Sequence, residues 1–166
     1  MSSLPTPEFR QARFGAPLLL IAAAMSACGA DEADVPSDPA TETFAPALNV
    51  NIGSMTVKAN GLWVQDLVVG TGLEAISGRQ LNLTYTGWLT NGQQFDSGSI
   101  PSGSNPPLTL GRGQVITGWD LGIVGMRAGG KRKLVIASPL AYGSSGQGDI
   151  GPNKTLVFDV TVTNVV

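Results

Sequence analysis

Apolar residues recur at every second position in four separate segments of this chain, and that period commits most of the chain to β-structure. Trp63, Gln65, Leu67 and Val69 share one side of WVQDLVV, which ends at Gly70-Thr71-Gly72. Leu81, Leu83 and Tyr85 share a side of LNLTYTG, and Leu134 and Ile136 one of KRKLVIA. Leu156, Phe158, Val160 and Val162 do the same in TLVFDVTV. Each is expected to be a strand with one buried face. Asn91-Gly92 is a tight-turn signal joining two arms of a hairpin. Pro101 to Pro107 (PSGSNPP) is incompatible with a central strand and reads as a bulge or loop. One helix candidate stands out, Val115 to Val124, where Ile116, Trp119 and Ile123 fall on one face. Gly118 and Gly122 keep it short and weak. The pattern predicts an α+β domain, an antiparallel sheet with one short helix packed on it.

Composition narrows the function. The 22 glycines, 11 prolines and only 13% charged residues fit a turn-rich fold. A net charge of −2 gives no footing for nucleic acid. The charge is also uneven. Five acids and no base lie between Gly29 and Pro46, whereas eight bases and six acids follow from Ala47 onward. The chain has no histidine, which excludes a Ser-His-Asp triad, a Cys-His dyad and histidine zinc sites. Its one cysteine, Cys28, excludes an internal disulfide and a Cys-rich metal site. No cofactor or metal is expected.

Residues 1–27 read as a signal peptide. Arg10 and Arg13 precede an apolar stretch, Phe14 to Ala27, shorter than the roughly 20 residues a spanning helix needs. It ends in Met25-Ser26-Ala27-Cys28-Gly29, which resembles the bacterial lipoprotein cleavage motif. That resemblance implies cleavage before Cys28, lipidation of its thiol and export to a bacterial membrane. Gly29 after the cysteine is similar to lipoproteins of an outer membrane, facing the periplasm. Residues 28–47 are acidic, rich in Pro, Ala and Thr, and read as a linker. Fully extended, it reaches about 50–60 Å. The catalytic domain is expected over residues 48–166.

Four motifs, in order, carry a second resemblance. Tyr85-Thr86-Gly87-Trp88-Leu89, Asn91-Gly92 and Phe95-Asp96-Ser97 form the first; GQVITGWDLGIVGMRAGGKRKLVI (residues 113–136) is the second. LAYGSSG (140–146) and PNKTLVFDVTV (152–162) complete the set. Together they resemble FKBP-type peptidyl-prolyl cis-trans isomerases over about residues 60–166. The resemblance implies a twisted antiparallel sheet of five to six strands wrapped around one short helix. It implies a proline pocket of Tyr85, Phe95, Asp96, Val115, Ile116, Trp119, Tyr142 and Phe158, with Trp119 as floor. The Ile116 N–H and the Tyr142 hydroxyl would donate to substrate carbonyls, and Asp96 would sit at the rim. Wall positions often aromatic in the family fall on Pro106 and Leu108, and Leu108 is expected to touch substrate. The loop after Tyr142, SSGQGDIG, lacks the family's apolar and proline character. Both departures imply altered selectivity, including toward macrolide inhibitors.

Such a pocket suits X-Pro isomerisation. Resonance gives the peptide C–N bond a barrier of about 18–20 kcal/mol. The twisted transition state has lost that resonance and is less dipolar, so an apolar, water-poor cavity favours it over the planar amide. No nucleophile, metal or acid–base pair is needed. Asp96 reads as an electrostatic or structural group, hydrogen-bonded to Tyr142. Taken singly, Tyr85, Phe95 and Phe158 would be core residues; the order of the motifs makes them a site. Trp63 and Trp88 read as packing, and Lys131-Arg132-Lys133 as a solvated strand start. The expected partners are proline-containing polypeptides, met by a monomer. Two other readings remain at this stage: a proline-peptide binder without turnover, and a surface interaction lipoprotein.

Overall fold

The computed structural model describes residues 36–166. Cys28 and the leader lie outside the described residues, so neither the signal nor the anchor has a structural account. Six strands form one antiparallel sheet: β1 (Thr56–Ala59), β2 (Leu62–Val68), β3 (Leu81–Leu89), β4 (Gln94–Ile100), β5 (Lys131–Ile136) and β6 (Leu156–Val165). Their order across the sheet is β1-β2-β5-β6-β3-β4, with β5 and β6 central. Asn91-Gly92 closes the β3–β4 hairpin, and Gly92 takes a left-handed φ of 89° that its lack of Cβ permits.

One α-helix among the described residues, α1 (Thr117–Gly122), crosses one face of the sheet. Its glycines have a use that propensity hides. A Cβ at Gly118 would overlap Ile136, and one at Gly122 would lie 2.9 Å from Leu134. The two glycines let the helix backbone press onto β5. Trp119 and Ile123 then meet Leu62, Val64, Leu83, Leu134, Phe158 and Val160 in the main core. Complete burial of such a side chain contributes about 1.5–3 kcal/mol.

The expected single buried face is corrected in the centre of the sheet. Val135 and Val157, on the side away from the helix, are fully buried beneath Leu48 and Met55. Trp63 and Trp88 pack in this second layer, with Phe44, Val50 and Ile52. In β2 the buried face is that of Leu62 and Val64, whereas Leu67, Val68 and Val69 are exposed. The side chosen for Trp63 from alternation is therefore the outer one.

Residues 36–47, read from composition as part of a spacer, lie against the sheet. Ala45 N–H donates to Thr90 O at 2.8 Å, and Leu48 just beyond is buried. A segment that docks on a ready-made apolar face needs few apolar residues of its own.

The solvated reading of Lys131-Arg132-Lys133 is corrected for Arg132 and Lys133, whereas Lys131 stays open to solvent. Arg132 points to the helix side and is buried; its guanidinium pairs with both oxygens of Asp66 at 2.6 and 3.0 Å. It also donates to the carbonyls of Gly122 and Val124 at the end of α1. Lys133, buried on the outer side, pairs with Asp159 and lies 5.8 Å from the Trp88 ring centroid. Buried charges survive because each has such a partner.

Candidate active site

Five elements converge on one cavity. β3 brings Tyr85, β4 brings Phe95 and Asp96, and the turn into α1 brings Val115 and Ile116. Trp119 on α1, Phe158 on β6 and Tyr142 after the 3-10 turn Ser138–Leu140 complete it. The cavity, open on one side, has a volume of about 210 Å³. All eight residues expected to form the pocket line it.

Adjacent strand residues normally point to opposite faces. Phe95 and Asp96 nonetheless both face the cavity, because the register slips here. Gly87 pairs with Asp96 and Trp88 with Gln94, leaving Phe95 as the extra residue of a bulge. Gly87 makes room for the result. A Cβ there would sit 2.7 Å from the Phe95 ring and 2.6 Å from the Phe158 ring. Those two rings meet edge to face, centroids 5.5 Å apart at 90°. Trp119 packs the same way against Tyr85 at 5.0 Å and Phe158 at 5.3 Å. Edge-to-face contacts suit the positive edges and negative faces of aromatic rings. The Trp119 ring is thus held from two sides, and its buried Nε1 finds no hydrogen-bond partner among the described residues.

Polar groups sit at the mouth. The Tyr85 hydroxyl donates to Asp96 Oδ2 at 2.9 Å. This differs from the expected Tyr142–Asp96 bond: Tyr85 and Asp96 are diagonal neighbours on paired strands, and the shorter reach wins. Desolvation, then the Asp96 hydrogen bond and charge, push the Tyr85 phenol up to about 12. Burial, and behind it the Asp96 charge, also raises the Tyr142 phenol. Both tyrosines are neutral donors at neutral pH.

Leu108 does not line the cavity. Leu81 N–H donates to Leu108 O and Leu110 N–H to Arg79 O, each at 2.9 Å, and this pairing turns Leu108 and Leu110 into the core. Ile100, at the end of β4, and Gln114 line the cavity instead. Gln114 accepts from Thr109 N–H at 2.7 Å and donates to Pro107 O at 3.0 Å, tying the PSGSNPP loop to the entrance. Asp120, one residue past Trp119, accepts from Gly111 N–H at 2.8 Å and Gly113 N–H at 2.9 Å. The backbone leading to Val115 and Ile116 is fixed by that carboxylate. Ile100 continues the inward face of β4 past Asp96 and Gly98, a signal the sequence carried. Nothing local in the sequence marks Asp120.

Comparison with known proteins agrees with this geometry. Residues 72–163 match the family described as FKBP-type peptidyl-prolyl cis-trans isomerase. The chain is 49% identical over 106 residues to an FK506-binding protein of Neisseria meningitidis serogroup B, covering 63% of this chain and 96% of that one. Its fold is similar to the crystal structure of AtFKBP13, with a TM-score of 0.57 and 40% identity, covering 68% of this chain and 99% of that one. A peptidyl-prolyl cis-trans isomerase from Pseudomonas syringae pv. tomato is similar at 33% identity and a TM-score of 0.57, over 67% of this chain and 80% of that one.

Proposed function

The chain belongs to the FKBP-type peptidyl-prolyl cis-trans isomerase family, and on that premise we propose that it turns X-Pro bonds in the cavity floored by Trp119. The proline ring would lie on the indole, between Tyr85, Phe95 and Phe158. The Ile116 N–H, ahead of the first helical turn where no intrahelical acceptor exists, would hold one substrate carbonyl. The Tyr142 hydroxyl would hold another. One observation carries the reading: eight residues from four separate motifs line one aromatic-walled cavity that also holds neutral donors.

Catalysis here is differential binding. A planar amide is stabilised by water and by its own dipole, and the twisted state less so; moving both into an aromatic cavity narrows the gap. Every ~1.4 kcal/mol gained gives about tenfold in rate. Asp96 serves by orienting Tyr85, whose proton it accepts in a hydrogen bond without removing it.

A protease-coupled cis/trans assay on a Pro-peptide tests the site. Tyr142→Phe is expected to lose turnover while the fold persists. Turnover equal to that of the parent chain would remove Tyr142 from the mechanism.

Relatives named for binding FK506 support a further reading, that macrolides of that type occupy the same cavity. Ile100 and the Gln114-tied loop would set their affinity in place of an aromatic rim. The Met25–Gly29 motif supports export, with a lipid on Cys28 holding the domain at a bacterial outer membrane, where exported proteins fold. Cys28→Ser is expected to leave the precursor uncleaved and unlipidated. Normal cleavage of that variant would refute the anchor.

A further inference from the structure

Residues ahead of the sheet hold the loop that carries Tyr142. Ser37 Oγ donates to Asn153 O at 2.8 Å, and Ser37 N–H reaches the same carbonyl at 3.4 Å. Thr155 Oγ1 lies 2.8 Å from Ser37 Oγ, so the Thr155 hydroxyl donates back to it. Asn153 is buried, with a left-handed φ of 55°. Its N–H donates to Gly143 O at 2.9 Å, while Gly143 N–H donates to Ser138 O at 2.9 Å. Gly146 N–H closes on Tyr142 O at 3.2 Å. The peptide that follows Tyr142 is thus held at both its ends, and one line of hydrogen bonds runs out to Ser37.

We propose that Ser37 is a positioning residue for the isomerase, fixing Asn153 and through it the Tyr142 phenol at the mouth of the cavity. The inference rests on the reading of Tyr142 as a donor to substrate. Three glycines with positive φ (Gly143, Gly146, Gly148) punctuate the loop between Tyr142 and Asn153. Ile150 is its one side chain buried in the main core. A loop so built has many backbone states to lose, and its placement depends on the few bonds at its ends. Asn153 is the end nearer the outer face, and Ser37 binds its carbonyl twice. The segment read as a spacer therefore takes part in the geometry of the site.

The test uses full-chain variants. Ser37→Ala removes the hydroxyl; Ser37→Thr keeps one. Ser37→Ala is expected to raise KM for a Pro-peptide about two- to five-fold, leaving most of kcat, and Ser37→Thr to restore it. A second readout isolates the phenol. With Tyr85→Phe, Tyr142 is the only tyrosine in the chain, and its absorbance at 295 nm reports its ionisation alone. Adding Ser37→Ala should move that titration down toward the ordinary tyrosine value, because a loosened phenol regains water while Asp96 is unchanged. If Ser37→Ala leaves KM and the titration as they were, or lowers only the melting temperature, the inference is overturned. If Tyr142→Phe itself leaves turnover intact, the reading of Tyr142 fails first and takes the inference with it.

Discussion

The hydroxyl of Tyr85 donates a 2.9 Å hydrogen bond to Asp96 across the β3–β4 pair. That contact decides the character of the site. It engages the one carboxylate lining the cavity and keeps a phenol neutral beside it.

Its first consequence is spectroscopic. Both tyrosines of the chain lie in the cavity. An alkaline titration followed at 295 nm should show no ordinary tyrosine near 10. Tyr85 should ionise near 12, and Tyr142 above its usual value. Because the folded value is raised, this contribution to stability is whole below pH 10 and fades as pH rises toward 12. Tyr85→Phe should remove the step near 12 and part of that alkaline loss. A two-proton transition at pH 10 in the folded protein would contradict the geometry.

Tyr142→Phe removes one donor with little change in shape. Its kcat/KM should fall about five- to tenfold, as expected for a hydrogen bond worth about 1–1.5 kcal/mol. Thermal unfolding should move by no more than a degree or two. A large stability loss with unchanged kcat/KM would assign Tyr142 to the core alone.

Gly87→Ala tests the room left for the aromatic walls. The added methyl meets both the Phe95 and Phe158 rings below 3 Å. Displacing buried rings should cost about 1–3 kcal/mol in denaturant unfolding. The tilted walls should weaken a cavity-binding inhibitor as well. Full affinity in a destabilised variant would mean that the rings lean outward without closing the site.

Arg132→Met separates a buried charge from its partners. Asp66 and the Gly122 carbonyl lose their donor together, while the Val124 carbonyl keeps Lys58 Nζ at 3.0 Å. We expect about 2–3 kcal/mol of destabilisation, moderated because Asp66 is open to water. Asp66→Asn should cost less, since Arg132 keeps both carbonyls. The reverse order would mean that the ion pair, and not the grip on α1, holds the helix.

Asp120→Ala should act on the entrance. With Gly111 and Gly113 released, the turn that positions Ile116 gains freedom. KM for a Pro-peptide should rise about three- to tenfold, with kcat less affected. Asp120→Glu, with the same charge on a longer arm, should recover part of it.

Much of this site was legible because motif order is a strong constraint even where single residues are ambiguous. Tyr85, Trp119 and Tyr142 could be placed together before any coordinates. The failures have separate physical causes. Alternation identified β2 but not its buried side, since Trp63 on one side and Leu62 and Val64 on the other are all apolar. Leu108 reads as rim because it falls on a wall position of the family pattern; its pairing with Leu81 is a long-range backbone contact that side-chain types do not encode. The Lys131–Lys133 run reads as solvated unless Asp66 and Asp159 are known to lie opposite. Gly118 and Gly122 lower helix propensity, and only the packing against Ile136 and Leu134 explains why they are there.

The hold on Ser37 also sets a working radius. From Cys28 to the first docked residues there are about eight residues, which extend no more than roughly 28 Å. For a lipid on Cys28, that is about one hydrocarbon-core thickness. With the proposed lipid in place, a catalyst on so short a leash would patrol a thin layer next to the membrane. It would meet chains as they leave the bilayer surface, in a search confined nearly to two dimensions, and would leave unfolded protein in the bulk compartment to others.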